Sequence, residues 1–265
     1  MNKPIDFLIE DVQNLPDSRS LVINKVGIKS LRHPIQVHDR SGRVQHAVAT
    51  FNMSVLLPEN LKGTHMSRFV EMINNNDQPF AISRFDQILK DMLTKLDAES
   101  GKLEMSFTYF VKKSAPVSGV ESLMDYEVTL IGKVDNNGES KVTLKVLIPV
   151  TSLCPCSKKI SNYGAHNQRS HVTVNAELID EMHIEEIIDL VETQASSQLY
   201  ALLKRPDEKY VTELAYDNPK FVEDMVRDIA GKLNKEMRIG SYVLECENFE
   251  SIHNHSAYAV ICANK

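Results

Sequence analysis

The chain has 265 residues, 42% of them hydrophobic and 25% charged, which is enough apolar material for one large core or two smaller ones in a water-soluble globular protein. No stretch approaches the roughly 20 apolar residues of a membrane span, and Met1-Asn2-Lys3-Pro4-Ile5-Asp6 opens without an apolar run of the secretory kind, so no membrane partner and a cytoplasmic setting are expected. The formal charge of −6 argues against general nucleic-acid binding.

Residues 1–20 read as an N-terminal arm. Beyond it, 22–37 and 43–57 are rich in β-branched and apolar residues, and Asp39-Arg40-Ser41-Gly42 between them is a hairpin turn signal. Two helices are expected next, at 66–73 and at 85–96. The second carries Phe85, Ile88, Leu89, Met92, Leu93 and Leu96 on one face, with Ser83 as its N-cap. Strand character returns at 103–111 and 126–134, and Asn136-Asn137-Gly138 marks a turn before a strand at 141–150. The second half repeats this order, with a strand at 171–179, helices at 184–199 and 219–237, and strands at 241–249 and 257–262. The fold class expected is α+β, with two modules spanning 21–135 and 136–265. Each would be an antiparallel four-stranded sheet with a helix pair on one face, its open edges suited to oligomerisation.

Four cysteines, two of them one residue apart, do not read as a disulfide framework. Cys246 and Cys262 read as core. Cys154 and Cys156 follow a strand end, and in extended chain their i, i+2 spacing would turn both thiols to one side. A metal role and a dithiol–disulfide role for this pair both stand on spacing alone. The polar segment after them offers His166, and a thiolate, an imidazole and a carboxylate make a reasonable three-donor set with one position left for water. His253 and His255, again at i, i+2, suit a proton donor beside such an ion.

The charge distribution adds a substrate class. From Ser140 to Ala176 there is no Asp or Glu, while Lys141, Lys145, Lys158, Lys159 and Arg169 are present. Between Arg19 and Arg68 only Asp39 and Glu59 interrupt eight Lys and Arg residues. Two acid-poor regions in an acidic protein suggest a site for a small polyanion such as a nucleoside triphosphate.

The run Pro149-Val150-Thr151-Ser152-Leu153-Cys154-Pro155-Cys156-Ser157-Lys158, followed by Tyr163-Gly164-Ala165-His166-Asn167-Gln168-Arg169-Ser170, resembles the signature of the type IB, zinc-independent GTP cyclohydrolase I family. Gly63-Thr64-His65-Met66-Ser67-Arg68-Phe69 and His253-Asn254-His255 resemble that family too. The resemblance implies a tunnelling fold and a homo-oligomer, with a tetramer expected, whose sites lie at subunit interfaces. It implies conversion of GTP and water to formate and 7,8-dihydroneopterin triphosphate, the entry step to folate. The cofactor implied is a divalent ion, manganese first, with zinc or iron as alternatives. By the same resemblance Cys154, His166, Glu208 and His253 would hold the metal, and Cys154, His253 and His255 would serve catalysis. Glu223 would anchor the guanine edge. Arg32, His65, Arg68, Lys158 and Arg169 are the candidates for the triphosphate, and Cys156 stands as a second, redox-capable thiol. Two rival readings are the nitrile reductase of queuosine synthesis, which resembles this fold but needs an NADPH motif not found in the chain, and a non-catalytic metal or redox module.

Overall fold

The structure, a computed structural model, describes residues 12–76 and 78–265. Residues 1–11 of the expected arm lie outside the described residues. The strands are β1 (Ile23–His38), β2 (Val44–Leu57), β3 (Gly101–Ser114), β4 (Glu121–Val134), β5 (Ser140–Leu153), β6 (Asn167–Leu178), β7 (Ser197–Gln198), β8 (Ile239–Asn248) and β9 (Ala257–Asn264). The helices are α1 (Met66–Asn74), α2 (Ile82–Leu96), α3 (Pro155–Ile160), α4 (Ile184–Glu192), α5 (Arg205–Asp217) and α6 (Val222–Leu233). All strand pairings are antiparallel, in the order β1-β2-β3-β4-β5-β6-β8-β9, with the short β7 added on β5. The two four-strand groups are therefore one sheet. Pairing from Val134↔Ser140 to Glu127↔Leu147 joins them.

The hairpins form where short polar residues can replace missing backbone partners. Asp39 Oδ1 accepts the N–H groups of Ser41 and Arg43, and Gly42 takes the left-handed φ of +79° that the turn requires. Along each long strand alternate residues are buried, as a sheet with one covered face demands. The covered face meets α1 and α2 over the first half and α4 and α6 over the second, and the buried side chains of both halves form one continuous core. On α2, Phe85, Leu89, Met92, Leu93 and Leu96 are buried. The helix lies so close to β4 that a Cβ on Gly132 would meet Leu89 at 3.1 Å and Phe85 at 3.3 Å.

Local expectations change at several places. Cys246 is buried as expected, but Cys262 on β9 is exposed and not part of the core. Ser83 is not the N-cap of α2. Phe80 is held extended by its N–H bond to Gln36 O (2.7 Å), so the helix starts immediately afterwards, with Ala81 as cap. The helix expected over 184–199 ends at Glu192, because Ser197 and Gln198 leave it to pair with Thr151 and Val150. Helix α6 is shorter than the 219–237 expected, since Lys220 N–H donates to Leu153 O and continues the path of β5. The segment holding Glu208, for which no element is expected from the sequence, is a helix of its own, α5.

The acids of α4 reach across to the first half. Tyr109 on β3 donates to Glu185 (2.7 Å), Tyr126 on β4 donates to Glu192 (2.7 Å), and Lys113 on β3 bonds both Glu192 oxygens at 2.8 and 2.7 Å. Lys113 and Glu192 are both buried. Burial pulls the Lys113 ammonium below its usual range and the Glu192 charge opposes that.

Candidate functional site

Strand β5 ends at Leu153, and Cys154 is the N-cap of α3, with its sulfur accepting the N–H of Ser157 at 3.4 Å. Pro155 at the first helical position forms the turn because its missing N–H would have lacked a partner there. The expectation that Cys154 and Cys156 share one side of an extended chain fails for this reason. Cys156 lies inside the helix and is exposed, whereas Cys154 is half-buried.

Cys154 N–H donates to His166 O (3.1 Å), and Ser157 Oγ accepts His166 N–H (3.2 Å). These bonds hold the thiol and imidazole residues at one end of the β5–β6 pair. Behind His166 stands a chain of buried polar groups. Its Nδ1 is 2.9 Å from Gln168 Oε1, Gln168 Nε2 donates to Ser152 Oγ (2.8 Å), Ser152 and Ser170 hydroxyls are 2.9 Å apart, and Ser170 donates to Asn248 Oδ1 (2.7 Å). These residues occupy the inward positions of β5, β6 and β8, where the apolar alternation gives way to polar side chains.

The remaining expected residues fall into three groups. Ser251 Oγ lies 3.4 Å from His166 Nδ1, which brings the 250–256 loop alongside; within that loop the His253 and His255 rings stack, 5.2 Å between centroids and 20° between planes, both exposed. Glu223 is exposed in the first turn of α6, three residues after the Lys220 that binds Leu153 O. Glu208 is exposed on α5, which packs on β5 and β7. Its neighbour Asp207 is fully buried and anchors that helix, accepting bonds from Val117 N, Ser118 N and Lys204 N (2.8 Å each) and from Ser118 Oγ (2.6 Å). Burial alone would raise the Asp207 pKa, but the Ser118 and backbone hydrogen bonds outweigh it and hold the carboxyl well below the usual range. Lys158 donates to Tyr216 O and stands 4.2 Å over that ring, tying α3 to the end of α5. Arg169 is exposed on β6, beside Phe249, whose N–H donates to Arg169 O (3.0 Å).

Arg32, His65 and Arg68 belong elsewhere. Arg32 is exposed on β1, four inter-strand steps from β5 in the sheet, which is about 19 Å at roughly 4.8 Å per step. His65 caps α1, and Arg68 in its first turn reaches Lys95 O (3.3 Å).

As a cradle for a divalent ion, Cys154 and His166 suit their roles. The sulfur is a free thiol, and the imidazole is steadied through Nδ1 by a hydrogen-bonded partner, the usual arrangement behind a ligating histidine. Among the described residues, no three His, Cys, Asp or Glu side chains converge into a metal-holding group, so Glu208 and His253 do not join that pair within one chain. Sequence reasoning missed Gln168 and Asp207. The signal for the first was present as polar residues at the inward parity of a strand that otherwise buries Val172, Val174 and Ala176.

Over residues 9–259 the chain matches the family described as type I GTP cyclohydrolase folE2. It is 64% identical over 265 residues to the GTP cyclohydrolase FolE2 of Azoarcus sp. strain BH72, covering 100% of this chain and 98% of that protein. It is 66% identical over 265 residues to the GTP cyclohydrolase FolE2 of Methylobacillus flagellatus, covering 100% and 99%. Among solved structures it resembles the uricase from Arthrobacter globiformis, with a TM-score of 0.51 and 8% identity over 91% of this chain and 93% of that one. At so low an identity the likeness concerns fold alone, and it agrees with the expected α+β tunnelling fold.

Proposed function

The chain belongs to the type I GTP cyclohydrolase FolE2 family, and on that premise we propose that it converts GTP and water to formate and 7,8-dihydroneopterin triphosphate at a divalent-metal site built on Cys154 and His166. It is a hydrolase of the GTP cyclohydrolase I type. The observation that carries the site assignment is the backbone bond from Cys154 N–H to His166 O, which unites the two donors at one strand end.

When bound, a divalent ion, manganese in the first instance, supplies Lewis acidity that lets water attack C8 of guanine near neutral pH. Cys154 and His166 would contribute a soft and a borderline donor, and Glu208 and His253, which do not join that pair among the described residues of one chain, would complete the set on assembly with a second copy. His253 and His255 supply the proton at N7, because imidazole exchanges protons in the physiological range. The Glu223 carboxylate accepts from the N1 and N2 donors of guanine, a pattern adenine does not offer. Lys158 and Arg169 receive the triphosphate from the side of the cysteine. The distance between β5 and β1 supports a site completed by a second copy of the chain, whose Arg32, His65 and Arg68 approach the same phosphates.

The test is turnover with purified protein. GTP and manganese should give formate and a pterin that fluoresces after oxidation, and ATP should not. Absence of both products with manganese, zinc or iron sinks the reading.

A further inference from the structure

We propose that Gln168 is a positioning residue that holds His166 in the Nδ1–H form, leaving the Nε2 lone pair as the donor to the metal, and that the buried chain Ser152–Ser170–Asn248 sets the orientation of Gln168. The inference rests on the reading of His166 as a metal ligand.

A glutamine carbonyl oxygen can only accept, so the 2.9 Å contact between Gln168 Oε1 and His166 Nδ1 requires the proton on Nδ1. The Ser251 hydroxyl, at 3.4 Å from the same nitrogen, is a weaker neighbour able to accept a share of that proton. Which histidine ring nitrogen carries the proton is set by the hydrogen bond at the other, so a bare Nε2 lone pair calls for an acceptor at Nδ1.

The orientation of the Gln168 amide decides the matter, because turning it would offer N–H to Nδ1 and reverse the tautomer. Gln168 Nε2 donates to Ser152 Oγ, and Ser170 Oγ lies 2.9 Å from Ser152 Oγ and 2.7 Å from Asn248 Oδ1; a hydroxyl has one proton, so with Ser170 donating to Asn248 the Ser152 hydroxyl donates to Ser170, and the chain would run the other way if both amides turned together. Its far end fixes the sense. Cys246, fully buried, points its sulfur at Asn248 Oδ1 at 3.7 Å, and burial pushes this thiol up to about 12, so it remains S–H and donates. With its oxygen facing both donors, Asn248 Oδ1 accepts from Cys246 Sγ and from Ser170 Oγ, and each partner follows in turn back to His166.

The sequence gives this arrangement no packing reason. Three adjacent strands bury Leu144, Val146, Ile148, Val150, Val172, Val174, Ala176 and Leu244 at the same inward positions, and apolar residues would serve the core equally well at the polar end. Full mutual satisfaction of the buried polar groups, ending on one exposed-side imidazole, fits a device that specifies the state of that imidazole.

Metal-free protein labelled with 15N-histidine tests the proposal by long-range 1H–15N correlation above the histidine titration range, with His166 assigned by loss of its signals in His166→Gln. The expected result is a protonated Nδ1 and a bare Nε2 at His166. Gln168→Leu should move the pattern toward Nε2–H and weaken manganese binding, measured by chelator competition, by about 10–100-fold. Gln168→Glu, which keeps an acceptor, should retain both the Nδ1–H pattern and affinity within a few-fold. A wild-type His166 with its proton on Nε2 overturns the proposal, and so does Gln168→Leu with tautomer and affinity unchanged. The wild-type spectrum decides the tautomer even where Gln168→Leu does not fold. Unchanged metal affinity in His166→Gln removes the ligand reading, an outcome distinct from a wrong tautomer.

Discussion

Cys154 stands where a strand becomes a helix, so its backbone is committed in both directions: its N–H to His166 and its carbonyl to Lys158 N at 3.2 Å. Its side chain is thereby fixed in place without being buried, the state a ligating thiol needs. Cys154→Ala should leave the fold intact and lower manganese affinity by more than the roughly 100-fold that loss of an outer hydrogen-bond partner costs, with turnover lost in parallel. Metal affinity by chelator competition, beside the melting temperature, checks this. Cys156→Ala should stay within a few-fold of wild type, since that thiol is exposed and on the helix. For guanine recognition, hydrogen bonds to a charged group are worth about 1.5–3 kcal/mol each, so Glu223→Gln should raise KM for GTP at least about tenfold, as steady-state kinetics would reveal. At this scale the sequence was legible for residue types and only partly for partners. Cys154 stood out as chemistry beside Cys156, and His166 was singled out by the family resemblance and not by its spacing, whereas Gln168 and Asp207 were not found, because their role comes from neighbours across strands or in the distant 117–118 turn.

Among the elements, α4 has the widest reach. Through Glu185, Asp189 and Glu192 it holds β3, β4 and Arg40 in the β1–β2 turn. The Lys113–Glu192 pair is buried with side-chain exposures of 9% and 4%, so removing one partner strands a charge. Glu192→Ala should cost about 3–5 kcal/mol by chemical denaturation, and Lys113→Met with Glu192→Leu together should cost far less. A second tie from α4 is acid-sensitive. The Arg238 guanidinium bridges Glu186 and Glu236 and draws the Glu236 carboxyl from its ordinary 4.5 down to about 2. A carboxyl depressed on folding stabilises the native state above pH 4.5, and that contribution is lost as pH falls toward 2. Glu236→Gln should therefore lower the melting temperature at pH 7 by a few degrees, with the gap from wild type closing by about pH 2. Periodicity located the long strands and α1, α2 and α6, since each shows one clean apolar face. It missed α5, whose exposed apolar residues Tyr210, Leu214 and Tyr216 blur any single stripe, and it overran α4, because Val191, Ala195 and Leu199 keep the i, i+4 spacing of a helix although Ser197 and Gln198 pair with β5.

The described residues form one antiparallel sheet whose outermost strands are β1 and β9, over one continuous core. Open edges of this length are pairing surfaces, and the phosphate candidates near β1 lie far from the cysteine end of β5. Sedimentation should give a mass that is a multiple of 29.9 kDa, and activity should fall on dilution into monomer. Strand and helix order pointed to the α+β class and the resemblance implied the tunnelling fold; the Asn136-Asn137-Gly138 turn was legible too, but dividing the chain at 135/136 hid that the turn pairs β4 with β5 and joins the halves into one sheet. The central claim is that turnover depends on a replaceable divalent ion held through Cys154. It is tested most directly by stripping the protein with a chelator, then titrating manganese while bound metal and formate release are measured together. The account predicts no formate from stripped protein, activity rising in proportion to metal up to about one ion per chain, and no such rise in Cys154→Ala. Full turnover in stripped protein, or wild-type metal uptake by Cys154→Ala, would contradict it.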